Sequence, residues 1–269
     1  MHIPMTNLFK KYMLIILMQI CCLASAQDSL KLNTVDYYDS LEVSDLKHHQ
    51  LSYKKLIIPA SLITAGAISF AVPQMKEIDR DVRGEVNEHN LSNSKLDNYT
   101  QYVPAAMVYA LNLAGMKGKH NFKERTIIFA TSQALTAAIV LPSKKLIGEE
   151  RPDKSNNMSF PSGHAAVAFS TAHFLFREYK DTNYWLGISG YSFAVFTSVY
   201  RVINNKHWVT DVFAGAGVGI LSTELAYWLY PKINSLFNIS KGKSASMISP
   251  FYQKFDKTNM MGLNYQLSF

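Results

Sequence analysis

Three short clusters of charged and polar residues in this sequence have the composition needed to handle a phosphate group. They are Lys144-x6-Arg151-Pro152, Pro161-Ser162-Gly163-His164 and Arg201-x5-His207-x3-Asp211. A phosphoryl group in transfer spreads negative charge over its oxygens and is stabilised by fixed cations. The lysine and the two arginines are such cations, and an arginine can donate two parallel hydrogen bonds to one phosphate. The clusters therefore predict a phosphate site built from protein side chains.

Each cluster taken alone also has a structural explanation. Cations beside apolar helices are often interfacial anchors, Ser-Gly-His is often a turn with a helix cap, and a His and an Asp four residues apart often form a surface pair. Taken together, the clusters complement one another. The Ser162 hydroxyl and the Gly163 N–H, at the start of a helix, would extend the anion cradle. His207 and Asp211 would share one helix face, so that the carboxylate orients the imidazole, and His164 could protonate a leaving alkoxide.

The elements that must position these residues are apolar segments with helical character. Glycine and alanine are interspersed and strong helix breakers are few, which favours an all-α helical bundle. Gly215 and Gly219 have the small-xxx-small spacing of closely packed membrane helices, whereas Glu224 interrupts the same segment. A soluble all-α protein stays open as the alternative to an integral membrane bundle of about five or six spans. The segments are Leu56–Val72, Tyr102–Met116, Thr126–Leu141, which we expect Pro142 to end, Ala165–Phe176, Trp185–Tyr200 and Val212–Tyr230.

The two ends of the chain differ from this helical domain, which we place at residues 55–245. Residues 1–26 have a basic start, a short apolar core and a small-x-small site, as in a cleaved secretory signal; an uncleaved membrane helix is the alternative. A polar segment covers residues 27–54. In the tail, 246–269, the alternation of Met261–Phe269 predicts a strand that pairs with Ile248–Tyr252 as a small β-hairpin packed on the bundle.

Cysteine and charge exclude several classes of function. Cys21 and Cys22 both lie in the signal, so disulfides, thiolate nucleophiles and cysteine zinc sites are excluded from the rest of the chain. Loss of Lys10 and Lys11 with the signal lowers the formal charge by two, from +7 to +5. That mild excess suits a phosphate-bearing partner or an anionic membrane surface and does not indicate nucleic acid.

The distribution of cations along the chain predicts the membrane orientation. Positive residues gather at 117–125, at 177–180 and at 232–243, and positive loops stay on the cytoplasmic side. The loops 143–163 and 201–211 then face the periplasm together, on condition that the weak segment 102–116 does not cross. This places the chain in the bacterial cell envelope, at the inner membrane, with its site facing the periplasm.

The three clusters, in this order and spacing, resemble the signature of the type 2 phosphatidic acid phosphatase superfamily. That family includes lipid phosphatases, bacterial acid phosphatases and vanadium haloperoxidases. The resemblance covers residues 144–211 and departs at Tyr200, where the family commonly has serine. It implies His207 as the nucleophile, His164 as the general acid and Asp211 as the residue that orients His207. It also implies a set of phosphate-binding residues, with no metal and no cofactor: Lys144, Arg151, Ser162, Gly163 and Arg201.

The resemblance and the apolar segments together predict hydrolysis of a lipid phosphate monoester or diphosphate. Candidate substrates are polyprenyl diphosphate, phosphatidic acid, phosphatidylglycerol phosphate and lipid A. The expected partners are this lipid and the membrane, with no obligate protein partner. Three alternatives stay open: a soluble periplasmic acid phosphatase for small esters, a vanadate-dependent haloperoxidase, and a lipid-binding scaffold without activity.

Overall fold

The computed structural model describes residues 52–89, 95–238, 245–255 and 258–268. The predicted signal at 1–26 and nearly all of the polar segment 27–54 lie outside these residues. The helices are α1 Tyr53–Ala67, followed by a 3₁₀ turn Ile68–Phe70, α2 Pro73–Glu88, α3 Asp97–Thr100, α4 Val103–Leu113, α5 Phe122–Ile147, α6 Gly163–Tyr179, α7 Tyr184–Ile203 and α8 Val209–Asn238.

Local capping explains where the long helices begin and end. Asn121 and Glu124 form a capping box at the start of α5, in which each side chain accepts from the other residue's backbone N–H. Gly148 ends α5 in the left-handed conformation, with φ of 63°, which glycine adopts without steric cost. Ser162 and Asn183 are the N-caps of α6 and α7. The predicted helical bundle is thus built from locally consistent elements.

Helices α6 and α8 form the centre of the bundle, and glycines on α8 let its neighbours approach closely. α8 packs against α1, α5 and α6. A Cβ atom added at Gly215 would lie 2.4 Å from the Ser162 carbonyl oxygen, and one at Gly219 would lie 2.2 Å from that of Ala166. On the other side, a Cβ at Gly217 would lie 2.6 Å from the Pro59 carbonyl oxygen. Contacts this short leave room only for glycine.

The expectation that Pro142 ends a helix is wrong. α5 runs through Pro142 and continues to Ile147. In the turn that contains the proline, the Ser143 hydroxyl donates a hydrogen bond to the Ile139 carbonyl oxygen at 2.7 Å. Apolar helices tolerate proline where side chains and neighbouring helices compensate for the missing N–H. The extension places Lys144, a predicted phosphate ligand, on the helix itself.

Three helices are long and apolar enough to cross a membrane by length and composition: Phe122–Ile147, Tyr184–Ile203 and Val209–Ser235. A fourth span results if α1 and α2 count as one, although they meet at a bend of 90°. α4 has 11 residues and is short for a crossing, in line with the expectation that segment 102–116 does not span. The count of five or six spans stays a prediction, since the described residues hold three such helices, or four with the bent pair.

A buried charge cluster, which we call the distal cluster, lies near the C-terminal end of α6. Glu224 of α8 accepts from Arg177 and lies 2.7 Å from His173 Nε2, whose Nδ1 is 2.6 Å from the Tyr191 hydroxyl. The histidine is thus a buried polar residue with hydrogen-bond partners, and the acid that interrupts α8 is paired.

A second carboxylate completes the distal cluster. Glu178 accepts from the Tyr227 hydroxyl at 2.7 Å and lies 2.7 Å from His120 Nδ1. Arg125, which the sequence places among the loop cations, is fully buried and lies 3.6 Å from Glu178. This arginine therefore serves a buried ion pair.

At the C-terminal end, strands β1 Ala245–Phe255 and β2 Thr258–Ser268 pair antiparallel. In this register Ile248 is opposite Tyr265 and Pro250 is opposite Leu263. The packing of these strands on the bundle stays a prediction.

Candidate active site

The bundle brings the eight predicted site residues to one end, opposite the distal cluster. The last turn of α5, the loop that follows it, the start of α6, the last turn of α7 and the start of α8 each contribute. In chain order these residues are Lys144 on α5, Arg151 in the loop, Ser162, Gly163 and His164 at the start of α6, Arg201 on α7, and His207 and Asp211 at the start of α8.

His207 and Asp211 lie together, but not on one helix face as expected. α8 begins at Val209, so His207 precedes it and only Asp211 is helical. The pair still meets, with His207 Nδ1 3.4 Å from Asp211 Oδ2. His207 is 2% exposed, and burial lowers its pKa to about 4. The imidazole is therefore neutral at physiological pH, which the predicted role of nucleophile requires, and Nδ1 faces the carboxylate.

Asp211 is held in place by further donors. Its Oδ2 accepts from the Ser159 hydroxyl at 2.5 Å and from the Trp208 backbone N–H at 2.9 Å. Its backbone carbonyl accepts from the Ser162 N–H at 3.0 Å, which joins the start of α8 to the start of α6. Sequence reasoning missed Ser159, although it lies only two residues before the Pro161-Ser162-Gly163-His164 cluster.

The three cations keep donors available for an anion. Lys144 Nζ donates to the Met158 carbonyl at 2.7 Å and to the Ser159 carbonyl at 3.2 Å. An ammonium has three N–H groups, so one remains. The Nε–H groups of Arg151 and Arg201 are buried and make no hydrogen bond within the described chain. A buried unpaired guanidinium N–H is costly, and an anion bound here would satisfy both arginines.

Ser162 and Gly163 form the entrance of α6. The Ser162 hydroxyl is buried and accepts from the Ala165 N–H at 3.4 Å, which is a weak cap. A Cβ at Gly163 would lie 3.7 Å from Val140 and 3.8 Å from Lys144, both ordinary contacts. The bundle itself therefore does not require glycine at 163, and a requirement for it would come from a ligand near the backbone.

His164 lies in the first turn of α6, outside the three candidate spans. Its Nε2 is 2.9 Å from Asn98 Oδ1. Burial, and next the positive charge of Arg201, lower its pKa to about 4. Arg151 and Lys144 act in the same direction, so all three cations lie close enough to affect the imidazole. A bound phosphate would reverse this effect, because its negative charge favours the protonated histidine.

Glu149 is a site residue that sequence reasoning missed. Burial, and next the charge of Asp211, raise its pKa to about 8. Glu149 Oε2 and Asp211 Oδ1 are buried, and neither makes a hydrogen bond to the rest of the described chain. One proton shared between the two carboxyl groups would satisfy both oxygens. The sequence feature that could have indicated Glu149 is the position of an acid between Lys144 and Arg151.

Two more residues reach the site from α3. Asp97 accepts from Arg201, and Asn98 contacts His164. Nothing in the sequence around these residues indicated a link to clusters more than 60 positions away.

One group of possible metal ligands lies outside the site in the described part of the chain. Glu85, Glu88 and His89, at the end of α2, have ligand atoms within 4.8 Å of one another. The group is largely exposed, and exposed acidic groups of this kind are common without an ion.

Comparison with known proteins supports the sequence resemblance. Over 138 residues the chain is 38% identical to the lipid A 1-phosphatase of Porphyromonas gingivalis, a match that covers 51% of this chain and 31% of that protein. It is 36% identical over 77 residues to the bacitracin transport permease protein BcrC of Bacillus licheniformis, which covers 28% of this chain and 36% of that protein. The chain thus spans about a third of the length of the curated relatives it matches.

Two solved structures are also similar. The crystal structure of Aquifex aeolicus LpxE matches with a TM-score of 0.42 at 20% identity, over 56% of this chain and 93% of that one. The crystal structure of a transmembrane PAP2 type phosphatidylglycerolphosphate phosphatase from Bacillus subtilis matches with a TM-score of 0.42 at 21% identity. This match covers 65% of this chain and 97% of the Bacillus subtilis chain.

The chain also matches a protein family: residues 125–235 match the PAP2 superfamily. All eight predicted site residues lie inside that segment, whereas Asp97 and Asn98 lie outside it. The resemblance in the three clusters is confirmed, since the segment that matches the PAP2 superfamily, residues 125–235, contains all three.

Proposed function

We propose that this chain is a phosphatase that hydrolyses a lipid phosphate monoester or diphosphate through a phosphohistidine. One observation carries the proposal. Three cations with open donors surround the buried His207–Asp211 pair, at one end of helices long enough to cross a membrane. The arrangement supplies a nucleophile, a residue that orients it and a cradle for the transferring group.

The chemistry takes two steps. His207 Nε2 attacks phosphorus while the bond to the leaving oxygen breaks, and His164 donates a proton to that oxygen. Asp211 stabilises the cationic imidazole, because its carboxylate faces Nδ1. Water then attacks the phosphohistidine, His164 accepts a proton from that water, and His207 leaves as neutral imidazole. Lys144, Arg151 and Arg201 hold the charge on the phosphoryl oxygens in both steps.

The membrane setting favours an amphiphilic substrate. The site lies at the ends of α5 and α7, both candidate spans, so a substrate anchored in the bilayer would present its headgroup there. The similarity to a protein named lipid A 1-phosphatase points to the same class of substrate. We place the chain in the bacterial inner membrane, with the site facing the periplasm.

The test is phosphate release by the purified full chain in detergent, measured on a panel of lipid phosphates and one water-soluble aryl phosphate. His207→Ala is the matched inactive control. We expect release from at least one lipid phosphate and no release by the variant. Preference for the soluble ester, with the protein in the soluble fraction of cells, would favour an acid phosphatase instead. Peroxide-dependent bromination with added vanadate would favour a haloperoxidase.

A further inference from the structure

The short helix α3 makes contact with two site residues of different predicted roles. Asp97 Oδ2 accepts from Arg201 Nη1 at 2.7 Å, and the next residue, Asn98, has its Oδ1 2.9 Å from His164 Nε2. Asp97 is 1% exposed and Arg201 is 7% exposed, whereas Asn98 is exposed. Two adjacent residues therefore contact one cation and the expected general acid.

The segment is fixed to the helices that carry those partners. The Thr100 hydroxyl lies 2.8 Å from the Thr197 hydroxyl on α7. Gln101 accepts through its backbone carbonyl from the Thr171 hydroxyl on α6 at 2.7 Å, and its side chain donates to the Asn98 carbonyl at 2.9 Å. Since Arg201 is on α7 and His164 is on α6, these hydrogen bonds tie α3 to both helices that carry its partners.

The two contacts have different chemical effects. Asp97 fixes the guanidinium of Arg201 through Nη1, which leaves the buried Nε edge for phosphoryl oxygens. Asn98 Oδ1 is an acceptor, and the His164 tautomer that fits this contact carries its hydrogen on Nε2. When His164 becomes protonated, its second proton is then on Nδ1.

We propose that Asp97 and Asn98 are positioning residues, Asp97 for the phosphate-binding Arg201 and Asn98 for the proton donor His164. The inference rests on the proposed phosphatase function. It assigns a part of the site to a segment outside the PAP2-matching residues 125–235. It also predicts that two neighbouring residues act at different points of one reaction.

The experiment compares Asp97→Asn and Asn98→Ala on an alkyl lipid phosphate and on an aryl phosphate, whose leaving group needs little protonation. Asp97→Asn should lower kcat/KM by a similar factor on both substrates, on the order of 10-fold, because Arg201 contacts the phosphoryl group whatever leaves. Asn98→Ala should lower kcat on the alkyl substrate by on the order of 10-fold and on the aryl substrate by less than about 2-fold, because only proton donation is affected. Asp81→Asn, at an exposed position on α2, is the matched control and should change neither.

The outcomes are distinguishable. If the wild type releases phosphate but Asn98→Ala slows both substrates equally, or slows neither, the assignment of Asn98 is wrong. If Asp97→Asn has full activity, the assignment of Asp97 is wrong. A melting curve checks each variant, and if buried Asp97 proves necessary for folding, the exposed Asn98 decides alone. If the wild type hydrolyses neither substrate nor any lipid of the panel, the proposed function fails and the inference fails with it.

Discussion

The close approach of α8 to the entrance of α6 makes Gly215→Ala an informative substitution. The new Cβ would lie 2.4 Å from the Ser162 carbonyl oxygen, whereas real Cβ contacts essentially never fall below 3.0 Å. To bring this contact to an ordinary van der Waals distance, α8 and the start of α6 must move apart by roughly 1 Å. Overpacking of this kind costs about 1–3 kcal/mol. Ser162 is also a predicted phosphate ligand, and a misplacement of about 1 Å in a catalytic site can cost ~100-fold in rate.

The assay measures the midpoint of thermal unfolding in detergent, by tryptophan fluorescence, together with phosphate release. Gly215→Ala should lower both the midpoint and the rate. Gly219→Ala creates a contact of 2.2 Å with Ala166, one turn further from the site, so it should lower the midpoint similarly and the rate less. Gly84→Ala, with no atom within 4 Å of the new Cβ, is the control. Activity of Gly215→Ala within about 2-fold of wild type would refute the reasoning, because the α6 entrance would then tolerate the displacement.

Three further outcomes follow from the site. Phosphate release should persist in EDTA and be inhibited by orthovanadate; loss in EDTA that added zinc or magnesium restores would contradict a reaction carried by protein cations alone. His207→Ala should abolish turnover and any acid-labile phosphoenzyme. His164→Ala should lower the rate on alkyl phosphates on the order of 100-fold or more, and the rate on aryl phosphates by less. A phosphoenzyme on His207→Ala would reverse the two assigned roles. The pKa of Glu149 is raised to about 8, so its carboxyl is neutral below that pH and adds a negative charge beside Asp211 above it. The pH profile of kcat/KM should therefore fall above about pH 8, and Glu149→Gln should move that fall to higher pH; an unchanged profile would exclude Glu149 as its cause.

The parts of the site that the sequence predicts are those that lie close together along the chain. The cations and histidines of the three clusters belong to segments that meet wherever α5, α6, α7 and α8 pack as a bundle. Their chemical types narrow the ligand, since cations and histidines in this order suit phosphate. Apolar segments likewise predicted α1 and α4 to α8, because apolar content and a scarcity of helix breakers can be read along the chain. The sequence analysis did not predict α2 and α3, which lie in none of those segments.

The missed features depend on tertiary packing. Pro142 is a helix breaker by local preference, yet α5 continues through it, packed against its neighbours and with the Ser143 hydroxyl donating to the Ile139 carbonyl oxygen in the same turn. His207 lies before α8, and a spacing of four residues does not say where a helix begins. Asp97 and Asn98 reach the site only through anchoring by α6 and α7, which no pattern within residues 95–101 reveals.

The distal cluster has a consequence for how the protein enters the bilayer during biogenesis. α8 carries Glu224, and a lone acid at the middle of a membrane helix raises its insertion free energy by about 2.5–3.5 kcal/mol. Arg177, which pairs with this acid, and His173, which lies within hydrogen-bond distance of it, are on α6, a helix of 17 residues that is not among the candidate spans. Lys55 on α1 lies 4.0 Å from the same carboxylate. The charge of Glu224 on α8 and that of Arg177 on α6 therefore offset each other when both helices enter the lipid. We expect α6 and α8 to pass from the translocation machinery into lipid as a pair, so that a chain truncated after α7 inserts α6 poorly.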